Sequence, residues 1–332
     1  MATTLRTRPK RRAQPGSRST ARWLASRAQQ LVVTVVIIVL VAFAMVHLLP
    51  GDPAVTILGV QATPQSLHAL REQLHLNDSL LGQLGAYLGG LIHGDLGGSI
   101  VQQGRSVATL IFPALGVTMW IVLLSIVAST VLAIPIGLAA ARTRRHLLDL
   151  GIRIGSVILV AIPPFVVGLV LLLLVALKLG AAPTGGWAGD FLGDWAYLWL
   201  PTIALVAHLL PTLILVVRES VLETTQQSFV EAATSRGLPR HRVLVSHITK
   251  NSLLPLITVV GLNIGGLIGF TVVVETVFSL PGIGALLLSS VFARDYPVIQ
   301  GIVIVTALIT VLGNFVADVF YRAVDPRTRS MQ

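Results

Sequence analysis

Six apolar stretches, each about as long as a bilayer is thick, dominate this 332-residue chain. They are 31–49, 118–141, 154–177, 199–217, 253–274 and 298–320. A helix rises ~1.5 Å per residue, so ~20 apolar residues cross a ~30 Å hydrocarbon core. Backbone amides in lipid must pair within the protein, which leaves helices or a closed barrel. Barrel strands alternate polar and apolar residues, and these runs do not, so the pattern predicts an all-α integral membrane protein with six transmembrane helices.

The loops between the spans predict its orientation. Residues 1–30, 142–153, 218–252 and 322–332 hold 20 of the 24 Lys and Arg. The remaining segments hold only Arg71, Arg105, Lys178 and Arg294. Basic loops stay cytoplasmic, so both termini are expected inside. The net charge of +10 thus describes one face of a membrane protein and argues against a nucleic-acid binder. The absence of cysteine excludes disulfides, thiolate metal sites and cysteine catalysis.

The charge and hydropathy boundaries divide the chain into a basic cytoplasmic tail (1–30), expected to be disordered, a first span (31–49), an outer helical segment (50–105), a core of five spans (106–322) and a short cytoplasmic tail (323–332). In the outer segment Pro50-Gly51-Asp52-Pro53 ends the first span, because proline lacks the amide that would extend it. Thr63 is expected to cap a helix with Pro64 at its first position. Asn77 or Asp78 is expected to start a second helix that Gly94 closes. This segment is too small for a core of its own and is expected to lean on the membrane or on a neighbouring subunit. The second outer loop, 179–198, carries Trp187, Trp195 and Tyr197 at interface height. The third contains Pro281-Gly282, which forces a turn before a short apolar helix, 285–292.

The cytoplasmic segment 218–252 carries the strongest functional signal. Ser228-Phe229-Val230-Glu231 has the spacing of a capping box, in which serine and glutamate each satisfy a free amide at a helix start. A short helix is expected to run to Arg236. Gly237 suits the left-handed turn that ends it, and Pro239 suits the start of the next. There Val243, Leu244, His247, Ile248 and Asn251 share one face. The result is a two-helix elbow, within 223–252, projecting between spans four and five. Ala232 and Ala233 leave a narrow surface that a partner backbone can approach, and Arg236 and Arg240 flank the corner with positive charge.

Glu231-Ala232-Ala233 followed by Gly237 resembles the EAA loop of bacterial ABC importer permeases. The generic loop has Ile-x-Leu-Pro about ten residues past the glycine; here Leu254-Pro255 lies farther on. Gly237-Leu238, Val243, His247, Asn251 and Leu253-Leu254-Pro255 instead match the variant of dipeptide and oligopeptide permeases. Pro50-Gly51-Asp52-Pro53, Gly94-Asp95-Leu96-Gly97-Gly98-Ser99, Glu275-Thr276-Val277-Phe278-Ser279, Pro281-Gly282-Ile283-Gly284, Arg294-Asp295-Tyr296-Pro297 and Asp325-Pro326-Arg327 look like segments of the B-type subunit of the peptide/nickel class. The resemblance runs from about residue 27 to 329. It implies the type I ABC importer permease fold, a multi-pass protein of the bacterial inner membrane, and ATPase coupling through Glu231, Ala232, Ala233, Arg236, Gly237, Leu238 and Arg240. It further implies a second, C-type permease subunit, two ABC ATPase subunits (D and F type, or one fused chain) that bind ATP and Mg, and an extracytoplasmic peptide-binding protein. Membrane lipids surround the whole. The same likeness puts Asp52, Asp95, Pro281, Arg294 and Asp295 at an outer gate or binding-protein contact.

No Gly-x-x-x-x-Gly-Lys-Ser/Thr phosphate loop, Gly-x-Ser-x-Gly elbow or His-Glu-x-x-His site occurs in the sequence, so a non-catalytic subunit without a cofactor of its own is expected. Glu275, Asn263 and His208 are the polar candidates for the translocation path. A charge within lipid faces a polar cavity or a partner; Glu275, at the outer end of its span, is read either as lining the path or as a cap or a partner of Arg294. Asn263 lies among Gly261, Gly265, Gly266 and Gly269, a packing face. His208 reads as a packed, hydrogen-bonded side chain, and Asp318 as the partner of Arg322. Pro163-Pro164 is expected to kink span three. Di- and oligopeptides are the expected substrates, with nickel chelates, glutathione or haem as alternatives. An ion-coupled secondary transporter fits less well, because only two acids lie in the spans.

Overall fold

The computed structural model describes residues 17–48, 55, 63–73, 77–143, 145–189 and 191–324. Among them the chain is helical, apart from loops and an isolated antiparallel bridge between Gly98 and Ser106. Among the described residues twelve helices of three or more residues follow in chain order: α1 Ser17–Leu48, α2 Pro64–Gln73, α3 Leu80–Ile92, α4 Val107–Arg142, α5 His146–Ala161 and α6 Pro164–Leu171, continued by a π-helical Leu172–Lys178; then α7 Phe191–Thr225 and α8 Ser228–Ser235. α9 comprises Arg240–Val243, the π-helical Leu244–Thr249 and Lys250–Ser252, and it is followed by α10 Leu254–Val277, α11 Ile283–Ala293 and α12 Tyr296–Val324. Five of these stretches are long and apolar enough to cross a membrane, or six when the bent α5–α6 pair counts as one span.

Several boundaries differ from those expected. α1 begins at Ser17, so residues 17–30 extend the first span as helix instead of forming a disordered tail. Ala21, Leu24, Ala25 and Ala28 are strong helix formers, and the breakers Pro15 and Gly16 lie before the start. α4 begins at Val107 because Ser106 caps it, its side chain accepting from the Thr109 amide. Pro113 then lies inside the helix without ending it. The third span is broken outright: α5 and α6 meet at 93°. Pro163 and Pro164 withhold two amides, and Ile162 is extended, as a residue preceding proline must be.

In the outer segment Thr63 does cap α2, accepting from the Ser66 amide at 3.1 Å. Ser79, not Asn77 or Asp78, caps α3, accepting from the Gly82 amide. Gly94, at φ 77°, ends α3 through bonds from the Gly94 amide to Leu91 O and from the Asp95 amide to Gly90 O. α3 leans on its own chain. Tyr87 and Leu91 pack against Val39, Ala42 and Ile304 of α1 and α12, and the Tyr87 ring lies 6.0 Å from that of Phe43. Burial there raises the Tyr87 phenol above its ordinary range, partly offset by a hydrogen bond to Gln300.

The core is built on α7, which packs lengthwise against α4. Leu205, Leu209, Leu213 and Val217 of α7 are buried with Ile121 and Ala133 of α4. Gly137 lets the two helices touch, since a Cβ there would meet Val217 and Ile214 O. Glycines on α10 fall into two sets. A Cβ at Gly261 would collide with the Ala317 methyl and one at Gly265 with the Thr310 side chain, both on α12, whereas Gly266 and Gly269 face open space. Gly261→Val is therefore expected to lower the stability of the purified chain by about 1–3 kcal/mol, through overpacking, while Gly269→Val leaves it unchanged. Thermal unfolding in detergent compares them; equal midpoints would contradict this division.

Candidate functional site

The elbow between α7 and α10 has a buried side and an exposed side. Val230 and Ala233 of α8, with Val243 and Ile248 of α9, are buried in the same apolar cluster as α4, α7 and α10. Phe229, Leu238 and Leu244 pack partly against it. Ser252 is fully buried, with its hydroxyl within 3.2 Å of Ser220 O, Thr224 Oγ1 and Ile248 O. The root of the elbow is thus tied to the inner end of α7. Its outer side presents Glu231, Ala232, Ser235, Arg236 and Gly237, with His241, Arg242 and Val245 beyond the corner, all exposed.

The corner itself is a left-handed helix stop. Gly237 has φ 77°; its amide donates to Thr234 O at 2.9 Å and the Leu238 amide to Ala233 O at 3.4 Å. This is the turn that glycine's missing Cβ permits. The capping box is not formed. Gln227 is the extended residue before α8, no side chain caps it, and Ser228 is already helical. Glu231 is therefore a free surface carboxylate in the first turn, where the positive end of the helix favours it.

The face expected of α9 is also shifted. Val243 and Ile248 are buried, but Asn251 is exposed, its side-chain amide donating to His247 O. The π-helical turn at 244–249 uses more residues than an α turn, which rotates the following residues and turns Ser252 inward instead.

One clamp beside the elbow escaped sequence reasoning. Arg218 at the inner end of α7 grips Asp149 of α5 with two parallel bonds, Nε to Oδ1 at 2.6 Å and Nη2 to Oδ2 at 2.9 Å. Both side chains are largely buried. The only signal in the sequence was a lone acid in a basic loop, which spacing does not pair with a distant arginine.

At the opposite end of α10 lies a second cluster. Glu275 is fully buried. The Thr118 hydroxyl of α4 donates to Oε1 at 2.6 Å, and the Gly284 amide of α11 donates to Oε2 at 2.8 Å. Thr118 Oγ1 in turn accepts from the Ile283 amide at 2.9 Å. Glycine is required around this carboxyl: a Cβ at Gly282 would strike it, and one at Gly284 would strike the Val272 backbone. Glu275 is therefore a fastening among α4, α10 and α11. It does not line an open cavity, and its hydrogen-bond partners are Thr118 and Gly284 rather than Arg294.

The other outer candidates separate likewise. Asp295 is buried; it accepts from the Ser99 hydroxyl and from the Ile100 amide at 3.1 Å, joining the outer segment to the start of α12. That makes it a latch, with little carboxylate surface left for a partner. Arg294, exposed at φ 57°, ends α11 in the left-handed region. Asp95 is exposed and accepts from the Gly97 amide, and Pro281 is exposed. Asp52 and the Arg240 side chain lie outside the described residues.

Asn263, His208 and Glu275 do not gather. The Asn263 side-chain amide donates to Val259 O of its own helix. His208 packs edge-on against Phe270, with ring centroids 4.6 Å apart, and its buried Nδ1 has no hydrogen-bond partner; it is packed as expected, but that nitrogen is not hydrogen-bonded. Asp318 pairs with Arg27 of α1 at 3.4 Å, a partner contributed by the helical extension of α1.

Known proteins resemble this chain along most of its length. Residues 133–330, which include the elbow, match the family described as binding-protein-dependent transport system inner membrane component. Residues 20–119 match its N-terminal companion family. The oligopeptide transport system permease protein AppB of Bacillus subtilis (strain 168) is 35% identical over 295 residues, covering 87% of this chain and 93% of that protein. The glutathione transport system permease protein GsiC of Salmonella choleraesuis (strain SC-B67) is 34% identical over 310 residues, covering 92% and 98%. Its counterpart in Escherichia coli (strain K12) is 33% identical over 307 residues.

Proposed function

Because the chain belongs to the family of binding-protein-dependent transport system inner membrane components, we propose that it is the permease subunit of an ATP-driven importer of peptide-class solutes, coupled through the α8–α9 elbow. Oligopeptides are named for one close relative and glutathione, itself a tripeptide, for another. The observation that carries the coupling role is the two-sidedness of the elbow. Its inner face belongs to the main core, so a push on Glu231, Ala232 or Arg236 is transmitted to α7 and α10 rather than absorbed by a loose loop.

In this reading both termini and the elbow are cytoplasmic, as the basic loops indicate. Two ATPase subunits carry ATP and Mg and receive the elbow of this chain and of a second permease subunit. A solute-binding protein delivers substrate to the opposite face. The exposed side of α10, with Leu262, Gly266, Gly269 and Val273, faces the second permease subunit or the pathway between the two. Closure of the ATPases moves the elbows and biases the spans between inward- and outward-facing states.

The test is Glu231→Arg in proteoliposomes holding the complete transporter. Reversing an exposed charge in a docking surface is expected to cut ATP-driven peptide uptake by about tenfold or more, with membrane insertion unchanged and the unfolding midpoint lowered only slightly by the lost helix-end interaction. Normal uptake by the variant, or wild-type uptake that continues without ATPase subunits, would overturn the reading.

A further inference from the structure

A cleft of about 230 Å³ opens between α1 and α12. Its walls combine Arg27, Gln30, Asn314 and Asp318 with the apolar Leu31 and Phe315. It lies where the apolar run of α1 begins, near Ala25, and that of α12 ends, near Phe320. Arg27 and Asp318 lie at the ends of these two runs, so with the spans in a bilayer their end of the cleft is the one nearest the headgroups, and the Leu31 and Phe315 end reaches toward the hydrocarbon. It is smaller than the ~300–1,000 Å³ of ordinary small-molecule pockets, which suits a headgroup better than a peptide.

Among the described residues, two ion pairs join separate spans, and they are built differently. Arg218 and Asp149 form a closed fork, their side chains 15% and 19% exposed. Arg27 and Asp318 meet through one contact at 3.4 Å, with side chains 40% and 38% exposed. A charge-assisted bond is normally ~2.7–2.9 Å, so this second contact is longer than those of the fork. Arg27 also donates to Gln30 Oε1 at 3.1 Å, which holds the guanidinium at the rim. Beside them the Asn314 Oδ1 atom is buried with no hydrogen-bond partner from the protein. A buried acceptor requires a donor. The cleft therefore offers a cation for an anionic group, and a carboxylate with a neighbouring amide oxygen for a cationic donor.

We propose that this cleft binds the headgroup of a zwitterionic phospholipid bearing a primary ammonium, of the phosphatidylethanolamine class. Arg27 takes the phosphate. Asp318 and Asn314 Oδ1 take the ammonium, whose three N–H donors satisfy both. Leu31 and Phe315 cover the glycerol end of the acyl chains. A quaternary ammonium has no N–H to give Asn314, and a phosphatidylglycerol headgroup has no cation for Asp318. Bound lipid in this position joins the first span to the last.

Native mass spectrometry of the full-length chain, released from detergent after incubation with each lipid, tests the assignment. Phosphatidylethanolamine is expected to be retained over phosphatidylcholine and phosphatidylglycerol of the same acyl chains. Asn314→Leu and Asp318→Asn are each expected to reduce that retention by about tenfold, the worth of a charge-assisted bond. Equal retention of the three lipids, or equal retention by wild type and both variants, would overturn the proposal in favour of non-specific boundary lipid or a single water at Asn314. Preference for phosphatidylglycerol would overturn it in favour of plain charge attraction to Arg27. As a check independent of variant folding, a photoreactive group on the ethanolamine nitrogen is expected to label wild-type α1 and α12; labelling confined to other helices would equally refute it.

Discussion

Gly284→Val is expected to lower the stability of this chain by about 3 kcal/mol or more, more than the overpacking expected of Gly261→Val. The position has no room: a Cβ would meet the backbone of Val272, which cannot rotate away as a side chain tip could. Displacing α11 to relieve that contact also removes the Gly284 amide from Glu275 and draws the Ile283 amide away from Thr118. A buried carboxyl then loses one of its two hydrogen-bonding sides. Thr118→Val, which removes the hydroxyl but keeps the shape, is expected to cost less, about 1–3 kcal/mol. Unfolding midpoints of detergent-purified wild type and variants give the order directly. A Gly284→Val protein as stable as wild type would show that α11 docks without this fastening.

Gly237→Pro is expected to abolish ATP-driven uptake while leaving the membrane core folded. Proline holds φ near −65°, whereas the native value is 77°, so the turn cannot form. The substitution also deletes the amide that donates to Thr234 O and disfavours the φ −78°, ψ 2° conformation of Arg236 before it. The strain, about 3 kcal/mol or more, falls on an exposed corner and is relieved by reorienting α9 locally. Gly237→Ala is expected to act in the same direction but weakly, since alanine tolerates the left-handed region at about 1–2 kcal/mol. The chain contains no cysteine, so a single cysteine placed at Ala232 reports elbow contacts without background from this chain. Its crosslink to the ATPase subunit is expected in wild type and lost with Gly237→Pro. Retained uptake together with a retained crosslink in the proline variant would remove the elbow from the coupling path.

The elbow and the spans were legible in the sequence for a shared reason: each depends on near neighbours. A run such as Leu253–Val274 needs only its own length and apolarity to be read as a span, and Gly237 needs only its position between two helical patterns to be read as a stop. Local reading failed where a neighbour's geometry intervened. Ser228 and Glu231 have capping-box spacing, yet Gln227 supplies the extended residue and the helix starts one position earlier than the box requires. Asn251 has the spacing of the buried face of α9, but the π-helical turn before it rotates it outward and brings Ser252 in. Asp318 sits four residues from Arg322, yet it is paired with Arg27, because α1 continues as helix through a segment whose basic composition suggested a solvated tail.

From the amino-acid order alone come the all-helical membrane architecture, the expected sidedness and the place of the elbow, since hydrocarbon thickness and glycine stereochemistry act residue by residue. Only the folded arrangement assigned partners to the acidic groups. Glu275 was settled on Thr118 and Gly284, Asp295 on Ser99, Asp149 on Arg218 and Asp318 on Arg27. The physical reason is that a carboxyl withdrawn from water must find donors wherever the chain brings them. For Asp295 the donor hydroxyl lies 196 positions away, a separation over which no periodicity in the sequence carries information.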